Sequence, residues 1–144
     1  MIEGAYGDDG LPAVAVQIYV APWRRWAEVR LVLDLAARFT VITSRSFEAL
    51  GIDIASLPPA EELGVAGRPE TGWIRDAFLL LAADDGMTYR FEVALIVASP
   101  ELGAWRSVLG QDVLSRCVLV HDPRDGVLSL DVLDSDGEFQ TSTA

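Results

Sequence analysis

The sequence predicts an all-β fold, and three observations carry that prediction. Residues Val14 to Val20 and Glu28 to Leu35 alternate along the chain and are rich in β-formers. Turn signals, among them Asp84-Asp85-Gly86 and Asp122-Pro123-Arg124-Asp125-Gly126, recur roughly every eight to twelve residues. Helical patterning is confined to two short stretches, one after Ser44 and one over Asp112 to Arg116. Such spacing belongs to a barrel or sandwich of roughly seven or eight strands with one or two short helices.

Residues 1–12, with Gly7-Asp8-Asp9-Gly10, read as a flexible tail. After the strand at Val14 to Val20, Pro22-Trp23-Arg24-Arg25-Trp26 interrupts the pattern and predicts a turn that buries tryptophan. The strand Glu28 to Leu35 follows, then a short β run from Phe39 to Thr43. Ser44 can cap a helix that carries Phe47 and Leu50 three apart on one face, with Gly51 at its end. Pro58-Pro59 and Glu61-Glu62 mark a surface connection. Val65 to Trp73 holds three breakers between two β-capable ends, which predicts an exposed hairpin or loop. Trp73 to Leu81 and Tyr89 to Ala98 predict a hairpin across Asp84-Asp85-Gly86. Arg106 to Leu109 is a short buried strand, and Cys117–His121 and Val127–Val132 form the last hairpin. The polar residues 134–144 read as a second flexible tail, which leaves one domain over 13–133.

The chain has 144 residues, 51% of them hydrophobic, enough for one domain with a real core and too apolar for disorder. Its formal net charge is -11, and every Lys-or-Arg position is arginine. That balance excludes nucleic acid and anionic membrane surfaces as expected partners. No run is long and apolar enough to cross a bilayer, and the acidic start Met1-Ile2-Glu3-Gly4 does not read as a signal peptide. With Cys117 the one cysteine, no intramolecular disulfide forms; a cytoplasmic protein is expected. Cys117 reads as a small hydrophobe, since the one histidine, His121, lies at the far end of the same strand and cannot serve it as a base. One histidine and no cysteine cluster leave no metal site, and no Gly-x-Ser-x-Gly or phosphate loop occurs, so no cofactor is expected.

The chemistry concentrates at Asp34. It closes an alternating strand and is followed by Leu35, Ala36 and Ala37 before the next strand begins. Taken alone, an aspartate there serves the turn amides that follow it. Peptide hydrolysis by carboxylates needs two of them, one taking a proton from water while the other protonates the carbonyl oxygen. At about 3 Å apart they cannot both ionise, so they share one proton.

Asp34-Leu35-Ala36-Ala37-Arg38-Phe39-Thr40-Val41-Ile42 resembles the signature of the retropepsin-like aspartic proteases, Asp-Thr/Ser-Gly-Ala followed by Thr/Ser and Ile/Leu. Leu50-Gly51-Ile52, Val108-Leu109-Gly110-Gln111-Asp112-Val113-Leu114 and Val120-His121-Asp122-Pro123 match further elements of that family in order. The resemblance spans about Val14 to Val132. It implies a closed retropepsin-like barrel, a symmetric homodimer, and Asp34 from each copy as the catalytic pair. Thr40, Gly110 and Asp112 would support the site. Gly67, Gly72 and Trp73 fall where the family carries its flap over an extended peptide, a place that an ordinary surface loop also fills.

The departures matter as much. Leu35 replaces a hydroxyl that ties the two active-site turns across the dimer, although two leucines can pack there instead. Ala36 replaces a glycine whose amide approaches the carboxylate; its methyl either crowds that spot or is accommodated. Arg38 lowers the pKa of Asp34 if it turns inward, and has little effect if it reaches Asp112 or Glu48. Two functions follow: an aspartic endopeptidase acting on peptides or proteins, or an inactive relative serving as a dimerisation or peptide-binding module.

Overall fold

The computed structural model describes residues 1–43, 46, 50–53, 57–65, 68–98 and 106–140. In chain order its strands are β1 (Ile2–Glu3), β2 (Ala5–Tyr6), β3 (Pro12–Val20), β4 (Arg25–Leu33), β5 (Val41–Ile42), β6 (Glu61–Val65), β7 (Arg68–Ala82), β8 (Met87–Ala98), β9 (Val108–Leu109), β10 (Cys117–Asp122), β11 (Val127–Val132) and β12 (Gly137–Gln140). One helical turn, α1 (Gln111–Leu114), follows β9. The fold is all-β. A small sheet runs β1-β11-β10, and the rest pair into a larger sheet.

Within the larger sheet the pairings run round a ring, β8-β5-β9-β4-β3-β7 and back to β8. The expected closed wall is only partly realised. Strands β5 and β9 meet at the single register pair Val41 with Val108, so that side is thin. The core lies inside the ring and follows the alternation in the sequence. Val14, Val16, Ile18 and Val20 of β3 point inward with Val29, Leu31 and Leu33 of β4. Leu79 and Leu81 of β7 and Phe91, Val93, Leu95 and Val97 of β8 complete it. Each fully buried side chain of this size contributes about 2 kcal/mol. The long hairpin β7–β8 keeps register from Gly72 with Ala98 to Ala82 with Thr88, turning where Gly86 adopts φ +85.

Several expectations need correction. Residues 1–12 were expected to fray, yet Ile2 is 2% exposed and pairs with Leu130, and Ala5 pairs with Ala13. The apolar Ile2 is the anchor, and Gly4 allows the close approach: a Cβ there would lie 2.6 Å from Leu128 Cδ2 and 2.8 Å from Ala13 O. Residues from 134 on were also expected to be a tail, but β12 pairs with β8, Phe139 opposite Thr88. Arg116 holds that segment, bonding Asp134 and Asp136 at 2.8 and 2.9 Å. The turn at Pro22 to Trp26 forms, with a 3-10 turn at Ala21–Trp23 and Arg24 in the left-handed region at φ 52. It half-buries Trp23 but leaves Trp26 55% exposed, its ring packed on Tyr19 at 4.7 Å. The helix predicted after Ser44 lies mostly outside the described residues; Ser46 and Leu50 are helical, and Gly51 takes φ +66.

Candidate active site

Asp34 stands where β4 ends. Strand β9 lies parallel to β4, Val32 beside Val108, and antiparallel to β5, so it is threaded between the two strands that flank the Asp34 loop. The Asp34 backbone N–H donates to Leu109 O at 3.1 Å and fixes the strand end. Residues 35–40 then bend over the end of β9. Gly110 permits this crossing: a Cβ would sit 2.5 Å from the carbonyl carbon and oxygen of Phe39. No side chain fits there.

A polar frame holds the loop from below. Thr40 is fully buried; its hydroxyl donates to Asp112 Oδ1 at 2.8 Å and accepts the Gly110 N–H at 3.2 Å. The Thr40 backbone N–H donates to Asp112 Oδ2 at 2.9 Å, so both carboxylate oxygens are engaged. The first amides of α1, which have no partner within a helix, instead donate to the loop. Gln111 N–H meets Ala37 O at 2.8 Å, and Asp112 N–H meets Arg38 O at 3.2 Å. The Gln111 side-chain amide donates to Leu35 O at 2.8 Å.

On this frame the Asp34 carboxylate is half-buried, and its Oδ1 accepts the Ala36 N–H at 2.9 Å. Ala36 is exposed and keeps an ordinary negative φ, so its methyl is accommodated and its amide still reaches the acid. Leu35 projects outward, 60% exposed, and Phe39 is 41% exposed on the same loop. An acid fixed by one amide and still partly exposed can exchange protons with water.

No protein-family model and no curated protein matches the chain. Among solved structures, it is similar to a retropepsin-like aspartic protease from Rickettsia conorii. That likeness has 19% identity, 90% of this chain and 88% of that one covered, and a TM-score of 0.49.

Of the site residues expected from the sequence, Asp34, Leu35, Ala36, Ala37, Thr40, Gly110 and Asp112 come together in this one loop and its support. Gly72 and Trp73, expected in the flap, sit in the sheet and the core instead. Gly67 lies outside the described residues, and Gly72 sits between Glu61 and Ala98 within the sheet. Trp73 is 4% exposed in the core, where a strand-start tryptophan sits more often than in a cleft, and its indole N–H donates to Pro58 O at 2.9 Å. Arg38 is exposed, and Asp112 is taken up by Thr40 rather than by Arg38; Glu48 lies outside the described residues. Gln111 was missed: the sequence offered only its place beside Gly110, and its bond to Leu35 spans 76 positions.

Burial pushes the Cys117 thiol up to about 11, which keeps it protonated at neutral pH. His121 is exposed, with Nδ1 2.8 Å from the Tyr6 hydroxyl. Among the described residues no three His, Cys, Asp or Glu side chains are placed to hold a metal ion, and no helix is long and apolar enough to cross a membrane.

Proposed function

We propose that this chain is an aspartic endopeptidase of the retropepsin-like kind, working as a symmetric homodimer through Asp34 of each copy. The observation that carries the reading is Asp34 itself: a half-open carboxylate at a strand end, oriented by the Ala36 amide and seated on the Gly110 crossing. One protomer supplies one acid, so the second comes from the partner copy across a two-fold axis. The ionised acid takes a proton from water as the water oxygen bonds to the peptide carbonyl carbon. The protonated acid passes its proton to the carbonyl oxygen. The resulting diol then collapses: one hydroxyl gives its proton to the now-ionised acid, the now-protonated acid gives its proton to the amine nitrogen, and the C–N bond breaks to leave a carboxylic acid and an amine. An extended substrate pairs along its backbone, and side-chain pockets set specificity.

Leu35 favours a second reading, in which the domain dimerises or binds peptide without cleaving it. One set of measurements separates the two. Purified protein is offered a peptide library between about pH 4 and 7, where a carboxylate pair shares its proton. Cleavage that disappears in Asp34→Asn supports the endopeptidase. An inert wild type that gains activity on Leu35→Thr with Ala36→Gly supports the inactive relative. Asp34→Asn cleaving as fast as wild type would remove Asp34 from the chemistry altogether.

A further inference from the structure

We infer that Gln111 is the positioning residue for Asp34, holding the active-site turn from inside one protomer. The inference rests on the reading of Asp34 as the catalytic acid. One residue grips the turn at two points. The Gln111 side chain donates to Leu35 O at 2.8 Å, and its backbone N–H donates to Ala37 O, also at 2.8 Å. A carbonyl only accepts, so the amide end facing Leu35 is the NH2. The Asp34 carbonyl is taken by the Ala37 N–H at 3.2 Å and its Oδ1 by the Ala36 N–H. The carbonyls of Asp34, Leu35, Ala37 and Arg38 therefore all accept bonds from their own chain.

The consequence falls on position 35. A hydroxyl at that place would stiffen the turn by bonding across a subunit boundary. Here the stiffening comes from Gln111, and the outward side chain is released to be apolar. Leu35 and Phe39, both exposed on the loop that follows the acid, then give a second copy of this chain an apolar surface.

Amide hydrogen exchange read at Ala36 and Ala37 by NMR tests the brace apart from catalysis. In wild type the protection of both amides persists on dilution through any dimer dissociation followed by sedimentation. Gln111→Ala speeds their exchange by roughly five- to tenfold, the effect of losing one net hydrogen bond. Exchange at Leu119 and Leu130, paired across β10 and β11, stays unchanged and verifies the fold. Leu35→Thr leaves Ala36 and Ala37 as in wild type. Gln111→Glu lacks the donor when ionised and regains it when protonated, so its protection recovers below about pH 4.3, a titration that a space-filling role does not produce. With a cleaved peptide in hand, Gln111→Ala lowers kcat and leaves KM nearly unchanged. Protection present only in the dimer, or exchange unmoved by Gln111→Ala, overturns the inference. A wild type inert towards every peptide sinks the endopeptidase reading instead, and the exchange rates still decide whether Gln111 braces the turn.

Discussion

Asp112 and Asp136 both tie a late segment of the chain to an earlier one, and they do so in opposite surroundings. Asp112 accepts two bonds from the buried Thr40 and so fastens α1 beneath the Asp34 loop. Asp136 faces solvent, bonded to the Arg116 guanidinium at 2.9 Å and to the Glu92 N–H at 2.7 Å, and so fastens β12 to β8. The first uses neutral, directional donors shielded from water. Losing it strands buried donors, which costs more than the bond itself contributed. The second uses opposite charges that water and salt can replace. The active-site loop is thus held by the kind of contact least sensitive to ionic conditions, and the chain end by the kind most sensitive.

The sharpest way to break this contrast is at the Gly110 crossing. Gly110→Ala forces a methyl against the Phe39 carbonyl, and urea denaturation is expected to show a loss of about 3 kcal/mol. Thr40→Val keeps the shape but removes the hydroxyl, leaving the Gly110 N–H and one Asp112 oxygen unmet; the same measurement is expected to show about 2 kcal/mol, independent of salt. Arg116→Ala is expected to cost at most about 1 kcal/mol at neutral pH, and less in about 1 M salt. Its pH dependence has a fixed sign. The Arg116 hydrogen bond holds the Asp136 carboxyl below its ordinary value of 3.8, so this stabilisation is full above that value. It fades as pH falls further, and wild type and Arg116→Ala should converge there in thermal melts. The smallest effect has the opposite direction. Arg24 sits at φ 52 without the freedom of glycine, and Arg24→Gly is expected to raise stability by about 0.5 kcal/mol, the relieved strain less the entropy glycine adds to the unfolded chain, read as a higher Tm.

How much of this was legible follows from where each signal is stored. Strands β3, β4 and β8 alternate over many residues, where two-residue periodicity reports a buried face directly, and β7 shows itself by the continuous apolar run Phe78 to Leu81. Asp84-Asp85-Gly86 sets its own turn through the positive φ that Gly86 adopts. Strands β1 and β2 have two residues each, too few for a period to show, and their order comes from Ile2 meeting a distant strand. Strand β12 has a largely polar sequence, and the ion pairs of Arg116 that hold the segment just before it leave no periodic signal. Asp34 stands out as an acid closing an apolar strand, and Thr40, Gly110 and Asp112 stand out through the order and spacing of the segments that resemble the family. Gln111 could not, since donating one amide to a backbone carbonyl leaves no pattern of its own. Trp73 reads two ways: beside a glycine-bearing hairpin it fits a cleft wall, and as a strand-start tryptophan it fits the core, which claimed it.

That burial has a mechanical result. The indole of Trp73 is nailed at one end by the core and at the other by the Pro58 carbonyl, at the root of the hairpin formed by β6 and β7. Beyond Gly72 strand β7 pairs with β6 and no longer with β8, so Trp73 marks the place where the hairpin leaves its longer partner. The fluorescence of Trp73 should be blue and shielded from quenchers, in contrast to the solvent-facing Trp26.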